Sequence, residues 1–208
     1  WLKGNGQRGY LDEDLPQGEK KRKQYEEGKK LLSQAGYMQI GIDHFALSSD
    51  RLYTSMKNEA LHRNFMGYTA SKTQLMVGLG ASSISDSWYG FAQNVKNLEE
   101  YAHLVEKGIF PIYRGHILNE EDQIVRKHIL NLMCRFETSW PDDAMYFEDL
   151  PRIIDGLWEM EADGLLKVSY KSLEITPKGR PFVRNICMAF DVLLYRKSPE
   201  TRLFSMTV

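Results

Sequence analysis

A short apolar run that ends in a loop of small residues constrains the fold of this chain most strongly. The run extends from Leu75 to Leu79, and the loop contains Gly80, Ala81 and Ser82. Because the run is too short for a helix and is flanked by glycine, it predicts a strand that is buried on both faces. Such strands belong to parallel sheets, in which ligands bind at the carboxyl ends of the strands. A strand-to-loop turn that binds no ligand is an equally open interpretation of these residues.

Length and charge restrict the classes of function. The 208 residues suffice for one large domain or two small ones, and the formal net charge of −1 argues against a general nucleic-acid binder. Cys134 and Cys187 form no CxxC motif and lie in apolar, helix-like patterns, which predicts buried thiols rather than a disulfide or a metal site. No apolar run approaches the ~20 residues of a membrane span, and no signal peptide is present. We therefore expect a cytoplasmic protein.

Helix and strand patterns alternate in the first half of the chain. Residues 1–17 are polar and predict a loop. The elements that follow are a helix over 18–35, a strand running into a loop over 37–46, a helix over 49–60, an aromatic and polar loop over 61–69, and a helix over 95–107. With the strand at Leu75 to Leu79, this order is typical of βαβ units. Asp43 and His44 end the first strand, where they could perform acid–base chemistry or tie two loops together.

The pattern becomes mainly helical after residues 109–118, which contain Pro111 and Gly115 and predict a linker between two domains. Asn119 is a candidate N-cap for a helix that extends to about Phe136, with three acidic residues in its first turn. The elements that remain are a helix over 147–163, a hairpin over 166–175 and a long helix from about 178. This is the order of a winged-helix-like domain.

Winged-helix domains often bind DNA, but the candidate recognition segment at 148–163 is strongly acidic and would repel phosphate groups. The histidines show no metal-ligand spacing. Gly78-Leu79-Gly80 by itself is only a weak phosphate-binding signal. The residues themselves thus predict an α/β part followed by a mainly α part, with neither a nucleic-acid nor a metal site.

Several separate segments, taken together, resemble one family: the oxygen-independent coproporphyrinogen III oxidases (dehydrogenases), which are radical-SAM enzymes of haem biosynthesis. The similar segments follow the order of the family and extend over roughly residues 10 to 208, as far as the closing Leu203-Phe204-Ser205. They are Gly41-Ile-Asp-His-Phe-Ala46, Leu61-His-Arg-Asn-Phe-Met-Gly-Tyr-Thr69, Gly78-Leu-Gly-Ala-Ser-Ser-Ile-Ser85, Phe91-Ala-Gln-Asn94, Ile175-Thr-Pro-Lys-Gly-Arg180 and Arg184-Asn-Ile-Cys-Met-Ala-Phe-Asp191.

The resemblance implies the C-terminal portion of a radical-SAM partial (β/α) barrel over residues 18–112, followed over 113–208 by a winged-helix-like helical domain with a small hairpin. In this family a 4Fe–4S cluster, held by three cysteines, cleaves S-adenosylmethionine reductively. The resulting 5′-deoxyadenosyl radical abstracts hydrogen from two propionate groups of coproporphyrinogen III, which lose CO2 and become vinyl groups. The product is protoporphyrinogen IX, and an external electron donor is required.

The chain departs from the family pattern in two ways. The cluster motif CxxxCxxC is absent, and the chain begins at Trp1 in a Gly/Asn-rich segment, so we expect a fragment of a longer protein that holds no metal and is inactive by itself. We expect this fragment to pair through an exposed sheet edge, and the full-length protein to be a monomer. The second departure is Met66, where relatives commonly have Gln.

The resemblance also implies roles for individual residues. Ile84 matches an isoleucine that packs against the nucleoside of S-adenosylmethionine from the end of the last barrel strand, with Gly80 and Ala81 as neighbouring candidates. The candidates for substrate contact or loop ordering are Asp43, His44, Arg63 and Tyr68. The alternative is a related paralogue that acts as a haem chaperone without decarboxylation. Those paralogues typically have His in place of Ile84 and lack the Arg-Asn-Ile-Cys helix.

Overall fold

The computed structural model of the protein describes residues 14–197. Most of the loop predicted for residues 1–17, and the closing segment at Leu203-Phe204-Ser205, lie outside this range. In the described part, no helix is both long enough and apolar enough to cross a membrane.

The described residues form a mixed α/β structure. Its helices are α1 (Gly18–Gln34), α2 (Arg51–Lys57), α3 (Leu98–Glu106), α4 (Glu120–Arg135), α5 (Leu150–Gly156), α6 (Trp158–Ala162), α7 (Val183–Ala189) and α8 (Val192–Lys197). Its strands are β1 (Tyr37–Gln39), β2 (Phe45–Leu47), β3 (His62–Asn64), β4 (Gly67–Thr69), β5 (Leu75–Met76), β6 (Ile84–Ser87), β7 (Gly90–Asn94), β8 (Ile112–Ile117), β9 (Glu137–Ser139), β10 (Leu166–Ser169) and β11 (Ser172–Ile175).

The strands form four small sheets. β5-β6-β7-β8 is the largest, β10-β11-β9 has three strands, and β1-β2 and β3-β4 are separate hairpins. Every pairing among the described residues is antiparallel. The βαβ arrangement expected from the alternation of helices and strands is therefore wrong for this part of the chain. The assignments to a partial barrel over 18–112 and to a winged-helix-like domain over 113–208 stay predictions.

The apolar run from Leu75 to Leu79 is not a buried parallel strand. Only Leu75 and Met76 pair, antiparallel to β6 at the edge of the sheet, and Leu79 is 82% exposed. The small residues after the run form the turn between β5 and β6. In that turn Gly80 and Ser82 adopt left-handed conformations, with φ of 100° and 65°. The glycine-rich stretch is thus explained by the reversal of a hairpin.

Three segments with loop-like composition contain paired strands. Residues 37–46 form the β1-β2 hairpin, with Asp43 and His44 in its connection, and residues 61–69 form the β3-β4 hairpin. The predicted linker at 109–118 contains β8, which pairs with β7. Gly115 permits this pairing, because a Cβ atom at that position would lie 2.8 Å from the Phe91 carbonyl oxygen. Gly115 therefore does not mark a linker. Its lack of a side chain allows β7 and β8 to approach each other closely.

Helix boundaries with clear capping residues were predicted well. Asn119 and Asp122 form a capping box at the start of α4: Asn119 Oδ1 accepts from the Asp122 N–H at 2.8 Å, and Asp122 Oδ2 accepts from the Asn119 N–H at 3.1 Å. Gly36 follows α1 with a φ of 86°. The predicted β10-β11 hairpin is also confirmed.

Two predicted helices are interrupted. The helix expected over 147–163 is divided into α5 and α6 at Leu157, which the fold buries to 2% exposure. The long helix expected from about 178 begins as a 3-10 turn, continues as α7 and is interrupted at Phe190 and Asp191 before α8.

One hydrophobic core joins the first hairpins to the later helices. Ile40 and Tyr68 of the hairpin region belong to the same cluster of buried residues as Leu132 of α4 and Ile186 of α7. His128 lies at its centre with no exposed surface; its ring nitrogens are 2.8 Å from Thr138 Oγ1 and 2.7 Å from the Met145 carbonyl oxygen. Because a carbonyl can only accept, Nε2 carries the proton and Nδ1 accepts from the threonine hydroxyl.

Candidate functional site

A cavity of about 690 Å³ lies between the sheet that contains β6, β7 and β8, the β3-β4 hairpin and helix α4. Its volume falls within the range of cavities that hold small-molecule ligands. The apolar side chains of its wall include Phe65, Phe91, Leu118, Val125, Ile129 and Met133. Charged groups interrupt this wall on both the sheet and the helix, so the cavity suits a ligand that is mainly apolar and carries charged substituents.

One face of the sheet forms the floor of the cavity. Asp86 pairs with Phe91 on β7, Phe91 pairs with His116 on β8, and all three residues line the cavity. Because side chains alternate along a strand, Ile84, two residues before Asp86, lies on the same face of the sheet. It stands just beyond the residues that line the cavity, at the start of β6, and not at the end of a buried parallel strand as expected.

The loop before Ile84 is held by hydrogen bonds from residues later in the chain. Asn94 Nδ2 donates to the carbonyl oxygens of Gly78 at 3.1 Å and of Gly80 at 2.9 Å. The Gly80 N–H donates to Tyr101 Oη at 2.9 Å. Gly80 and Ala81 therefore belong to a fixed turn beside Ile84, and neither lines the cavity described above. Asn94 orders this turn, a role that its position in the sequence did not reveal.

The structure brings Asp43, His44, Arg63 and Tyr68 together. The His44 ring packs edge-on against the Tyr68 ring with 5.1 Å between centroids, and the Arg63 guanidinium lies 4.7 Å over that same ring. His44 Nδ1 is 2.8 Å from Asp43 Oδ1. Gly41 is adjacent, and a Cβ atom there would lie 2.2 Å from the Tyr68 ring. The four residues predicted from separate motifs thus form one contiguous cluster around Tyr68.

The electrostatics of this cluster fix its hydrogen bonds at neutral pH. Burial raises the pKa of Tyr68 to about 12, so its hydroxyl stays protonated and donates to the Met133 carbonyl oxygen at 2.8 Å. Partial burial acts to raise the pKa of Asp43, but the hydrogen bond and charge of His44 and the charge of Arg184 outweigh it and hold this pKa below its usual value. Asp43 is therefore an anion that orients His44.

Arg63 is the member of the cluster that reaches the cavity. It lines the cavity wall, and its Nη1 atom is buried without a hydrogen-bond partner among residues 14–197. A buried donor without a partner costs about 1–3 kcal/mol, and more when the group is charged. A ligand carboxylate in the cavity would contact the part of this side chain that lines the wall, and guanidinium groups bind carboxylates through paired hydrogen bonds.

Arg126 of α4 is a cavity residue that the sequence did not single out. Its Nη2 donates to Asp86 Oδ1 and its Nη1 to the Ser87 carbonyl oxygen, both at 2.7 Å. Its guanidinium also lies 4.9 Å from the Phe91 ring centroid. The sequence signal that could have pointed to this part of the cavity was Asp86, the partner of Arg126, because it lies two residues after Ile84 on the same strand face. Arg126 is fully engaged in these contacts, whereas Arg63 has an unused donor.

Met66 and Phe65 form the turn of the β3-β4 hairpin at the cavity mouth. Asn64 Oδ1 accepts from the Met66 N–H at 2.9 Å and closes the turn. The Met66 side chain is 84% exposed, while the Phe65 ring packs edge-on against Phe91 with 5.2 Å between centroids. Asn64 and Phe65 therefore order this loop, and the departure at position 66 does not disturb it.

Within residues 14–197, no group of three or more His, Cys, Asp or Glu side chains is arranged to hold a metal ion. Cys134 and Cys187 are free and buried, as predicted. Burial raises their pKa values to about 11 and about 12, respectively. An iron–sulfur cluster needs more cysteine thiolates than the two that residues 14–197 contain, and both of these are buried, so the cysteines present do not fit a cluster.

Comparison with known proteins links the whole described site to one group of enzymes. No protein-family model matches the chain. The chain is 38% identical over 200 residues to the oxygen-independent coproporphyrinogen III oxidase of Salmonella typhimurium, an alignment that covers 92% of this chain and 43% of the relative. It is 35% identical over 217 residues to the oxidase of the same name from Synechocystis. This alignment covers 100% of this chain and 46% of the relative.

A solved structure gives the same result. Coproporphyrinogen III oxidase from Escherichia coli, described as a radical SAM enzyme, superimposes with a TM-score of 0.82 and 35% identity over 90% of this chain and 44% of that one. The chain thus spans less than half the length of the relatives it matches. The resemblance inferred from the sequence motifs is confirmed in both sequence and fold.

Proposed function

Because the chain belongs to the family of oxygen-independent coproporphyrinogen III oxidases and matches part of its members along almost its whole length, we propose that it is the C-terminal part of such an enzyme. The proposed reaction of the whole protein is the oxidative decarboxylation of two propionate groups of coproporphyrinogen III to vinyl groups, which yields protoporphyrinogen IX. The observation that carries the proposal is the structural match, with a TM-score of 0.82 at 35% identity. The relatives named above are all oxidases, which favours this activity over a haem-chaperone role.

The proposed cofactors of the whole protein are S-adenosylmethionine and a 4Fe–4S cluster, with an external electron donor. When bound, they supply the radical chemistry that removes hydrogen from the substrate. No cluster ligand is assigned to the described residues, because the two cysteines do not fit one. The inactivity of this chain alone and its pairing through a sheet edge stay predictions.

Ile84 is proposed to contact the nucleoside of S-adenosylmethionine. Support comes from its position on the sheet face that carries the cavity residues Asp86 and Phe91. The turn that precedes it, with Gly80 and Ala81, has little side-chain volume and is fixed by Asn94. A flat apolar group can approach such a surface and bury area against the isoleucine side chain.

Arg63 is proposed to bind a propionate carboxylate of the substrate. The Arg63 side chain lines a cavity with mainly apolar walls, so a carboxylate there would bind in a medium where the charge pair is strong. The Tyr68 ring packs against the Arg63 guanidinium, His44 packs edge-on against the Tyr68 ring, and Asp43 holds His44 through a hydrogen bond. In this arrangement Arg63 contacts the substrate, and the other three residues position it.

The proposed function is tested with the full-length protein after cluster reconstitution. Coproporphyrinogen III, S-adenosylmethionine and a reductant are supplied without O2, and protoporphyrinogen IX and 5′-deoxyadenosine are measured. The proposal expects both products from the wild type. Arg63→Gln is expected to raise the KM for coproporphyrinogen III by about tenfold or more, the effect of one lost charged hydrogen bond. Arg51→Gln, an exposed arginine on α2, is the matched control and should leave KM unchanged.

Absence of decarboxylation by the wild-type protein, with an intact cluster and cleavable S-adenosylmethionine, contradicts the proposed function. A normal KM in Arg63→Gln removes only the assignment of Arg63 to the substrate.

A further inference from the structure

A second cavity, of about 350 Å³, lies next to the first and is separate from the proposed substrate site. The two cavities meet at α4, where Leu130 lines both. His62 and Arg63 are neighbours on β3, and His62 lines the smaller cavity while Arg63 lines the larger one. The smaller cavity has about half the volume of the larger, 350 against 690 Å³, so its ligand would be smaller than a porphyrinogen.

The walls of the smaller cavity carry an excess of positive charge. Lys72, Lys127 and Arg135 contribute three cations, and Glu59 contributes one carboxylate. Within residues 14–197, neither lysine forms an ion pair or a side-chain hydrogen bond. In the described part of the chain, Arg135 donates only to the Glu59 backbone carbonyl oxygen, at 3.2 Å. Among residues 14–197, neither lysine is therefore engaged in an ion pair, although the Glu59 carboxylate lies in the same wall.

His62 gives a second, independent indication of a ligand. Only 8% of its surface is exposed, it lines the cavity, and its ring makes no hydrogen bond to any other residue in the described range. Burial, followed by the charges of Arg126 and Lys72, lowers the pKa of His62, so the ring is neutral at pH 7 and offers one donor and one acceptor. Its ring nitrogens are not among the fully buried unpaired atoms of the described residues, so they keep accessible surface on a side chain that lines the cavity.

The remaining wall gives the cavity an apolar side. Leu61, Leu130 and Trp88 cover this side, and Asn131 adds an amide whose Nδ2 is 3.5 Å from Thr138 Oγ1, a weak contact. Lysine ammonium groups act as point charges toward phosphate and carboxylate oxygens, while a guanidinium binds them in a fork. Several such donors around one apolar pocket form a site for a compact ligand with more than one negative charge.

We propose that this cavity binds a small polyanion, a molecule that carries phosphate groups or several carboxylates and contacts Lys72, Lys127, Arg135 and His62. The proposal does not depend on the oxidase activity, because none of these residues belongs to the Arg63 cluster. Phosphate and carboxylate ligands share the same recognition chemistry, so the probes are chosen to separate them.

The experiment titrates the full-length protein with pyrophosphate and, separately, with citrate, by isothermal calorimetry at constant ionic strength. At least one probe is expected to bind with one-to-one stoichiometry. Lys127→Gln and Lys72→Gln are each expected to weaken this binding by about tenfold, since each removes a charged contact. Lys167→Gln, an exposed lysine on β10, is the matched control and should leave the affinity unchanged.

Binding of pyrophosphate alone supports a phosphate ligand, and binding of citrate alone supports a polycarboxylate. Failure of both probes to bind at millimolar concentration overturns the proposal. Equal weakening by Lys127→Gln and Lys167→Gln also overturns it, because general charge attraction then explains the binding. Lys72 is exposed, so its variant keeps the test valid if Lys127→Gln lowers the melting temperature.

Discussion

Asp86 of β6 and Arg126 of α4 form an ion pair with 2.7 Å between Oδ1 and Nη2, and this pair joins the four-stranded sheet to the helical part of the molecule. Both side chains are largely buried, with 9% and 14% of their surface exposed. The partners are 40 residues apart in sequence. The same pair forms part of the wall of the larger cavity, so the geometry of the site depends on a contact between two distant segments.

Loss of one partner of this pair is expected to destabilise the protein strongly. Arg126→Gln leaves the Asp86 carboxylate buried without its cation, and removing one partner of a buried pair costs about 3–5 kcal/mol. The free energy of unfolding in urea is the measurement, with Arg51→Gln as an exposed control that should change it by less than about 0.5 kcal/mol. A loss below 1 kcal/mol in Arg126→Gln would show that the pair is not important for stability.

Ile84→Ala in the full-length protein is expected to weaken binding of S-adenosylmethionine or to uncouple its cleavage from decarboxylation. The lost apolar contact is worth ~1–3 kcal/mol, and misplacement of the reacting carbon adds to the loss of rate. Ile117→Ala serves as the control, because Ile117 is 86% exposed on β8. Cluster content, melting temperature and 5′-deoxyadenosine are measured on one preparation. Normal turnover with a lowered melting temperature would mean that Ile84 has only a packing role.

Gly41→Ala is expected to disrupt the cluster around Tyr68. A Cβ atom at position 41 would lie 2.2 Å from the ring, and the ring cannot move away without breaking its hydrogen bond to Met133. Overpacking of this kind costs typically ~1–3 kcal/mol. Gly156→Ala, at the end of α5, has no atom within 4 Å of the added methyl group and should be neutral or slightly stabilising. Equal melting temperatures for the two variants would contradict the predicted clash.

Stability is expected to fall with pH below neutrality because of His128. Burial lowers its pKa from the usual 6.5, so the unfolded state binds a proton more readily than the folded state. The stabilisation is therefore complete above pH 6.5 and is lost as the pH falls below that value toward the folded pKa. His62 acts in the same direction, because burial lowers its pKa as well.

His128→Gln should flatten the dependence of unfolding free energy on pH between about 7.5 and 5, whereas His103→Gln, on an exposed position of α3, should not. Parallel curves for wild type and His128→Gln would refute the assignment.

Local signals in the sequence predicted the helices more reliably than the sheets. Asn119 caps α4 through atoms within three residues of it, so its role can be read from the sequence alone. The pairing of β8 with β7 joins distant residues, from Asn94 with Ile112 to Gly90 with Ile117, and Pro111 and Gly115 had indicated a linker. The apolar composition of residues 75–79 did not reveal that they would lie at an edge.

The same distinction applies to the site. The sequence proposed Asp43, His44, Arg63 and Tyr68 as candidates from separate segments, and the structure added the reason why they occur together. His44 and Arg63 pack on the Tyr68 ring, and Asp43 contacts His44. Arg126 was missed because its partner Asp86 lies on a different element. Charge and spacing within a helix contain no information about such a pair.

The hydrogen bond from Tyr68 to the Met133 carbonyl oxygen spans 65 positions of the chain, and this separation has a consequence for biosynthesis. A ribosome adds about 5–20 residues per second, so the β3-β4 hairpin emerges roughly 3–13 s before the helix that supplies its acceptor. During that interval the phenol can bond only to water, and the apolar face of the hairpin has no partner. The nascent segment is therefore a candidate client for chaperones until α4 has emerged.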